Sequence, residues 1–300
     1  MPMEIRTDEY DIVNRNTGWK KPLEAGSTIS TAEDKFHAQE RREQERKKKY
    51  RYTQTDELGK YILLRVKKIP TTLDPSTLAR LTLLSTFIDY KNRLMINKQT
   101  VMRKSDLPRI LNISERAARD FVSEVKNKYL IFRDGEMFLS KEYYRGESDK
   151  YKRDAKQKLF IQTTQDLYYK LKPREHRYFG YVIRIIPFVN REFNILCHNP
   201  DEIVFDQIKP LSIGEICDLL KYENTHSDRL LDGLTKCIFR ADDQDQSLCA
   251  IVQSVGNGIT GYGMFVNPRI LYNGSDYNKV EILHFYFPLR KNRCYNTKKK

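Results

Sequence analysis

The sequence predicts a mainly α-helical fold with small β-hairpins, an α+β architecture in which one unit of two helices and a hairpin occurs twice in tandem. Three observations predict it. Between Lys104 and Asp134, two short amphipathic helical patterns, a tight turn and an Asp-Gly hairpin signal follow one another in close order. The apolar residues Leu107, Ile110, Leu111, Phe121 and Val125 are matched by Ile216, Leu219, Leu220, Leu230 and Leu234 at one constant offset of 109 residues. A helix-forming run precedes each copy, from Asp74 and from near Thr164.

Taken in order, residues 1–56 read as a charged arm. Gly18, Pro22 and Gly26 interrupt any periodicity before Ile29, so the start is expected to be mobile, with Trp19 its only large anchor. Helix formers then run to Tyr52 and include Arg41, Arg42, Arg46 and Lys47 to Lys49, which suits a solvated helix or an arm gripping phosphates.

Residues 57–146 hold the first copy. Leu58 to Ile69 reads as a strand or short helix, and Asp74-Pro75-Ser76 starts a helix to about Asp89 with Leu78, Leu81, Leu84 and Ile88 on one side. Ser105 is expected to cap the next helix, with Pro108 in its first turn and Leu107, Ile110 and Leu111 on one face. Asn112-Ile113 turns the chain. Ser114 caps a further helix whose Ala117, Phe121 and Val125 recur at a spacing of four, which assigns them to its buried side. Tyr129 to Phe132 and Met137 to Leu139 then flank Arg133-Asp134-Gly135-Glu136 as a hairpin.

Helix, turn, helix and hairpin in this order make a winged helix-turn-helix, so the expected architecture is two such domains in tandem. The second helix of such a unit enters the major groove, where arginine is the commonest reader of guanine. The candidate DNA-binding residues of the first copy are therefore Ser114, Arg116, Arg119, Ser123 and Lys126, with Arg133 in the wing.

Residues 147–163 read as a basic linker whose Lys150, Lys152 and Arg153 would touch phosphates. Residues 164–287 hold the second copy. Pro173 interrupts its first helical run, and Tyr178, Val182, Ile185 and Ile186 mark a core-facing helix. Ser212 and Glu215 fit a capping box, Lys221-Tyr222 a turn, and Asn224 to Lys236 the second helix. Its outward candidates are Asn224, Thr225, Ser227 and Arg229, beside Asp228 and Asp232. A longer wing is expected from Cys237 to Ala241, an acidic turn, Leu248 to Val255 and Met264 to Val266. Residues 288–300 are a basic tail.

Against 40 acidic residues stand 54 Lys and Arg, a net charge of +14 that favours an anionic polymer as partner. Residues 56–150 carry +6 and residues 210–300 only +2, so the first copy is expected to hold most of the affinity for DNA. Five cysteines, Cys197, Cys217, Cys237, Cys249 and Cys294, are far apart without a Cys-x-x-Cys pair, which argues for reduced buried thiols and against a zinc site. With no signal-peptide pattern and no apolar run of membrane length, the chain is expected in the cytoplasm.

Two motifs suggest enzymes. Gly256-Asn257-Gly258-Ile259-Thr260-Gly261 matches a dinucleotide fingerprint, but the strand-like Met264 to Val266 and Pro268 follow it where a helix must open, so no cofactor is expected. His226 and Arg229 have the spacing of tyrosine recombinases without a further basic constellation or a tyrosine at convincing spacing, and no catalysis is expected.

Phe193-Asn194-Ile195-Leu196, Pro210 to Ile216, and Met264 to Gly274 give the second copy a resemblance to the winged-helix replication initiators of bacterial plasmids and phages, the RepL-like group. The most specific part is Asn267-Pro268 followed by Tyr272 and Gly274; the first copy has only the ending Tyr143-Tyr144-Arg145-Gly146. The resemblance implies a non-enzymatic initiator that recognises double-stranded origin DNA and recruits host replication proteins. The chain departs from that group in its tandem arrangement, its charged arm and the carboxylates of its second recognition helix. A transcriptional regulator uses the same fold. An adaptor or filament-forming protein, self-associating through the less basic copy, is the third reading.

Overall fold

A computed structural model describes residues 58–141, 156–241, 243–254 and 261–274, with short stretches at 11–13, 20–22, 37–39, 41–42, 45, 143–144 and 287. Residues 1–51 and 52–300 form two separate units. In the first, β1 (Asp11–Val13) pairs antiparallel with β2 (Lys20–Pro22), Ile12 opposite Lys21. The weak periodicity of this stretch, read as mobile, does not announce that pairing. Trp19 lies outside the described residues.

The second unit mixes helices with small antiparallel sheets, the α+β class. Its first part runs β3 (Tyr61–Arg65), α1 (Pro75–Ser85), α2 (Leu107–Ile110), α3 (Glu115–Val125), β4 (Leu130–Arg133), β5 (Glu136–Leu139) and β6 (Tyr143–Tyr144). Its second runs β7 (Lys156–Phe160), α4 (Ile161–Lys170), α5 (His176–Ile185), α6 (Ile213–Leu220), α7 (Ser227–Thr235), β8 (Ile238–Ala241), β9 (Gln244–Ser247), β10 (Cys249–Ser254) and β11 (Gly261–Val266).

The two parts meet strand to strand. β3 pairs antiparallel with β7, Ile62 opposite Leu159 and Leu63 opposite Lys158, while β6 adds to the other edge of β3 and Leu271 bridges Leu159. The last part of the stretch read as a linker, Lys156–Phe160, is thus a strand paired with β3. Lys150, Lys152 and Arg153 lie outside the described residues.

Below the strands, α1 crosses α5 in the largest helix–helix contact of the unit. Asp74 starts α1, its Oδ1 accepting from the Ser76 amide at 2.8 Å, with Pro75 at the first helical position. The helix ends at Ser85, earlier than expected, and Ile88 joins Leu94 in a bridge. Leu78, Leu81, Leu83 and Leu84 are all fully buried, so α1 is covered beyond its single predicted face. On α5 the buried residues are His176, Phe179, Gly180, Val182, Ile183 and Ile185, with Tyr178 half-buried. Gly180 faces the Pro75 carbonyl so closely that a Cβ would overlap it.

Backbone hydrogen bonds repeat between the halves. Leu94 N–H donates to Met137 O at 2.8 Å and Leu139 N–H to Asn92 O at 2.8 Å; Leu196 N–H donates to Met264 O at 2.9 Å and Val266 N–H to Asn194 O at 2.9 Å. Asn92 and Asn194 share a positive φ, 64° and 52°, as do Asn112 and Lys221, 50° and 55°. Asn92 thus corresponds to Asn194, Leu107 to Ile216 and Met137 to Met264, a spacing that grows from 102 to 109 to 127 residues. A longer segment between Cys197 and Pro210 accounts for the first increase. The second comes from the hairpin β8–β9 and a longer loop between β10 and β11. The long second wing expected from sequence is therefore two hairpins, of which β10–β11 is the counterpart of β4–β5.

His176 is fully buried at the start of α5 and stacks on Tyr168 with ring centroids 3.9 Å apart. Burial, with Arg80 nearby, lowers its pKa from 6.5 to about 4. The unfolded chain therefore binds the extra proton first as pH falls. Stability is expected to drop by up to roughly 1.4 kcal/mol per pH unit between pH 6.5 and about 4, and to level off below. Urea titrations at pH 7 and 5 check this, and His176→Gln should flatten the difference. Gly180→Ala gains helix propensity but forces α1 and α5 apart, so a net loss of about 2 kcal/mol or more is expected, seen as a lower urea midpoint at unchanged slope.

Candidate nucleic-acid interface

The surface with candidate DNA ligands is built on α3. Ser114 Oγ accepts from the Ala117 amide at 3.2 Å and caps the helix, as expected. Ala118, Phe121, Val122 and Val125 are its buried residues, a spacing of three and four that turns the core face one residue from the expected Ala117, which is half-buried. Arg116, Arg119, Ser123 and Lys126 are all exposed. The face also carries Asp120 and Glu124, and Glu124 Oε2 accepts from Thr77 Oγ1 at 2.7 Å, tying α3 to α1.

β4 and β5 pair in register, Arg133 opposite Glu136, across Asp134 and Gly135 with φ of 50° and 78°, the two left-handed residues of a type I′ turn. Arg133, next to the turn, is exposed. Arg93 braces the other strand, with Nη1 3.2 Å from Glu136 Oε1 and Nε 3.2 Å from Asp89 Oδ2.

In front of α3, the chain enters α2 through a 3-10 turn, Lys104–Asp106. Asp106 Oδ2 accepts from the Arg103 amide at 2.8 Å, so the carboxylate two residues before Pro108 closes the start that Ser105 was expected to cap. The far end of α2 is held from the other half: Tyr168 Oη donates to Leu111 O at 2.9 Å and Tyr169 Oη to Ile110 O at 3.0 Å. Arg103, Lys104 and Arg109 are exposed around α2 and were not among the expected contacts. Their signal is their polarity between buried Met102 and Ile110, which a spacing argument assigns only to solvent.

The second copy repeats the scaffold with another surface. Ser212 and Glu215 form the expected capping box, Glu215 N–H to Ser212 Oγ at 3.3 Å and Ser212 N–H to Glu215 Oε2 at 2.8 Å. The Ser212 hydroxyl, which donates to Glu215 Oε2 at 2.7 Å, and then the Ser212 amide, helped by His198, hold the Glu215 carboxyl below its ordinary range. The carbonyl of Leu220, the counterpart of Leu111, accepts from Arg184 Nη1 at 3.2 Å, and Arg184 Nη2 reaches Leu73 O at 2.6 Å. Asn224 to His226 form a 3-10 turn, and α7 begins only at Ser227. Asn224, Thr225 and Arg229 are exposed and Ser227 half-buried, but Asn224 Nδ2 donates to Asp218 Oδ1 at 3.1 Å. Asp228 and Asp232 are exposed on the same helix, Asp232 paired with Lys236. His226 pairs with Glu223 at 3.1 Å.

The glycine-rich stretch falls between two strands. β10 and β11 pair antiparallel, Ser254 opposite Gly261, so the glycine-rich segment joins two strands and no helix follows; Gly256 and Gly258 lie outside the described residues. Cys197, Cys217, Cys237 and Cys249 are free and buried, and burial pushes the Cys197 thiol up to about 11 and that of Cys237 to about 12. Cys294 lies outside the described residues. Among the described residues no three His, Cys, Asp or Glu gather as for a metal, and no helix is long and apolar enough to cross a membrane.

No protein-family model matches the chain, and neither curated proteins nor solved structures give a match.

Since Leu111 O is buried under Tyr168, Tyr168→Phe should leave a carbonyl unsatisfied at a cost of about 1–3 kcal/mol. Tyr169→Phe, at an exposed position, should cost less; urea unfolding of the two variants compares them.

Proposed function

We propose that the chain is a non-enzymatic, sequence-specific binder of double-stranded DNA, built as two tandem winged helix-turn-helix domains and acting at a replication origin of a plasmid or phage. The observation that carries the reading is the face of α3. Arg116, Arg119 and Ser123 are exposed together on one capped helix with Lys126 exposed at its end, beside a type I′ hairpin that carries Arg133 next to its turn. Arginines on such a helix can pair with guanine O6 and N7, whereas a hairpin arginine meets the backbone beside the groove.

The second copy supports a lesser share of the affinity. Residues 210–300 carry only +2 against +6 for residues 56–150, Asp228 stands exposed on α7 where it repels phosphates unless it accepts from a cytosine amino group, and Asn224 is already engaged by Asp218. The origin role rests on the resemblance to RepL-like initiators. Residues that carry that resemblance are internal: Asn267 is fully buried and donates to Gln246 Oε1 at 3.1 Å and Ser247 O at 2.9 Å, and Tyr272 is buried against Gly274. They support a shared scaffold and leave the choice of bases to α3 and α7.

Footprinting on DNA flanking the chain's own gene is the direct test, with protection of a discrete site expected. The full chain is the form to use, because a cut near Lys158 would divide β7 and separate α1 from α5. Arg116→Ala and Arg119→Ala should each weaken binding to that site by about 1–3 kcal/mol and random DNA much less. Arg133→Ala should weaken both alike, and Asn224→Ala and Arg229→Ala should cost less than the α3 changes. Equal losses on specific and random DNA for all variants would remove the base-reading role of α3.

A further inference from the structure

The second half carries a segment that the first lacks. Between Cys197 and Pro210 the chain makes a long excursion where the first half passes directly from Met95 to Val101. Its base is pinned by His198 N–H to Lys209 O, Lys209 N–H to Asn199 Oδ1 and Asn199 Nδ2 to Gln207 O, each at 2.9 Å. On the inner side, Ile208 packs with Ile195, Cys197 and Phe287 in a small cluster of its own.

At the tip, Ile203, Val204 and Phe205 are 70%, 44% and 41% exposed. They are held in place. Glu202 Oε1 accepts from the amides of both Ile203 and Val204 at 2.9 Å, Asn190 Nδ2 donates to Glu202 O at 2.8 Å, and Phe205 meets Phe193 edge-on at 5.1 Å. Three consecutive apolar side chains on a fixed backbone have already met the ordering cost of a contact. Asp206 stands exposed beside them, and the exposed Asp201 pairs with Arg191 at 2.8 Å.

The first half leaves open what this segment covers. Ile195 and Cys197, 1% and 0% exposed, correspond to Arg93 and Met95, which are half-buried at a groove of about 790 Å³. Tyr61, Phe87, Ile88, Met95 and Ile96 line it with apolar surface, Lys60 and Lys98 stand on its rim, and Tyr90 is 83% exposed at its edge. Its one carboxylate, Asp89, is engaged by Arg93. An apolar tip with Asp206 exposed beside it thus has its complement, an apolar groove rimmed by lysines, on the same chain.

We propose that the Ile203–Phe205 tip of one copy docks in the Tyr90 groove of a second copy. Tip and groove are different surfaces, so the contact is heterologous and leaves a free tip at one end and a free groove at the other; further copies add head to tail. The small area makes each contact weak, and closely spaced DNA sites would strengthen it by raising the local concentration.

Sedimentation velocity of the full chain without DNA, from roughly 1 to 100 μM, is expected to show concentration-dependent growth beyond the dimer. Ile203→Asp and Tyr90→Asp, at exposed positions that should fold normally, are each expected to be monomeric throughout. Mixed in equal amounts the two should form a dimer and stop there, because the first keeps its groove and the second its tip. Phe205→Asp should behave as Ile203→Asp does, and an unchanged melting temperature verifies each fold. A monomeric wild type over the whole range, a tip variant that associates like wild type, or a mixture that stays monomeric would overturn the proposal.

Discussion

The crossing of α1 and α5 is the constraint on which the rest of the second unit depends. Gly180 lets the backbone of α5 lie against the Pro75 carbonyl, and at that distance Leu78, Leu81, Phe179, Val182 and Ile183 can be buried completely. A well-packed interior loses stability when it is opened by even a methylene, so this contact fixes the two helices relative to each other. β3 and β7 then have only one register available, and the two halves become a single core.

From that junction both candidate surfaces are positioned. Tyr168 on α4 closes the end of α2, and Arg184 on α5 closes the end of α6 at the corresponding carbonyl. Each donor satisfies a helix-terminal carbonyl that would otherwise be buried without a partner. The helices that precede the exposed polar faces, α2 and α6, are thereby held at their ends by side chains of α4 and α5 rather than by their own loops alone.

Much of this was legible locally. The Ser114 cap, the Ser212–Glu215 box, the Asp134-Gly135 turn and the offset between the two-helix segments each follow from residues a few positions apart, where one hydrogen bond or one φ decides the outcome. What was illegible depends on partners distant in sequence. Leu83 has no place on a single-faced helix, and only the arrival of α5 and the strands explains its burial. β7 was hidden because its buried alternate residues include Gln157, so Lys156-Gln157-Lys158 reads as polar linker although the strand alternates as β-structure requires. Ala117 was assigned to the core on a strict spacing of four, whereas the core takes three and four in turn, which selects Ala118 and Val122 instead.

The two halves differ mainly where the shared core makes no demand. The equivalent hydrogen bonds around Asn92 and Asn194 agree to within 0.1 Å, while the surfaces above them diverge. The excursion between Cys197 and Pro210 and the hairpin β8–β9 both belong to the second half, and the first half keeps an open groove and the helix with Arg116 and Arg119. A duplicated scaffold stabilised jointly at one junction allows this, because a loop added to one copy alters neither the α1–α5 packing nor the strand register. The physical cost of a longer surface loop also grows only slowly with its length. Stability thus sets the common frame, and function can be divided between its two sides.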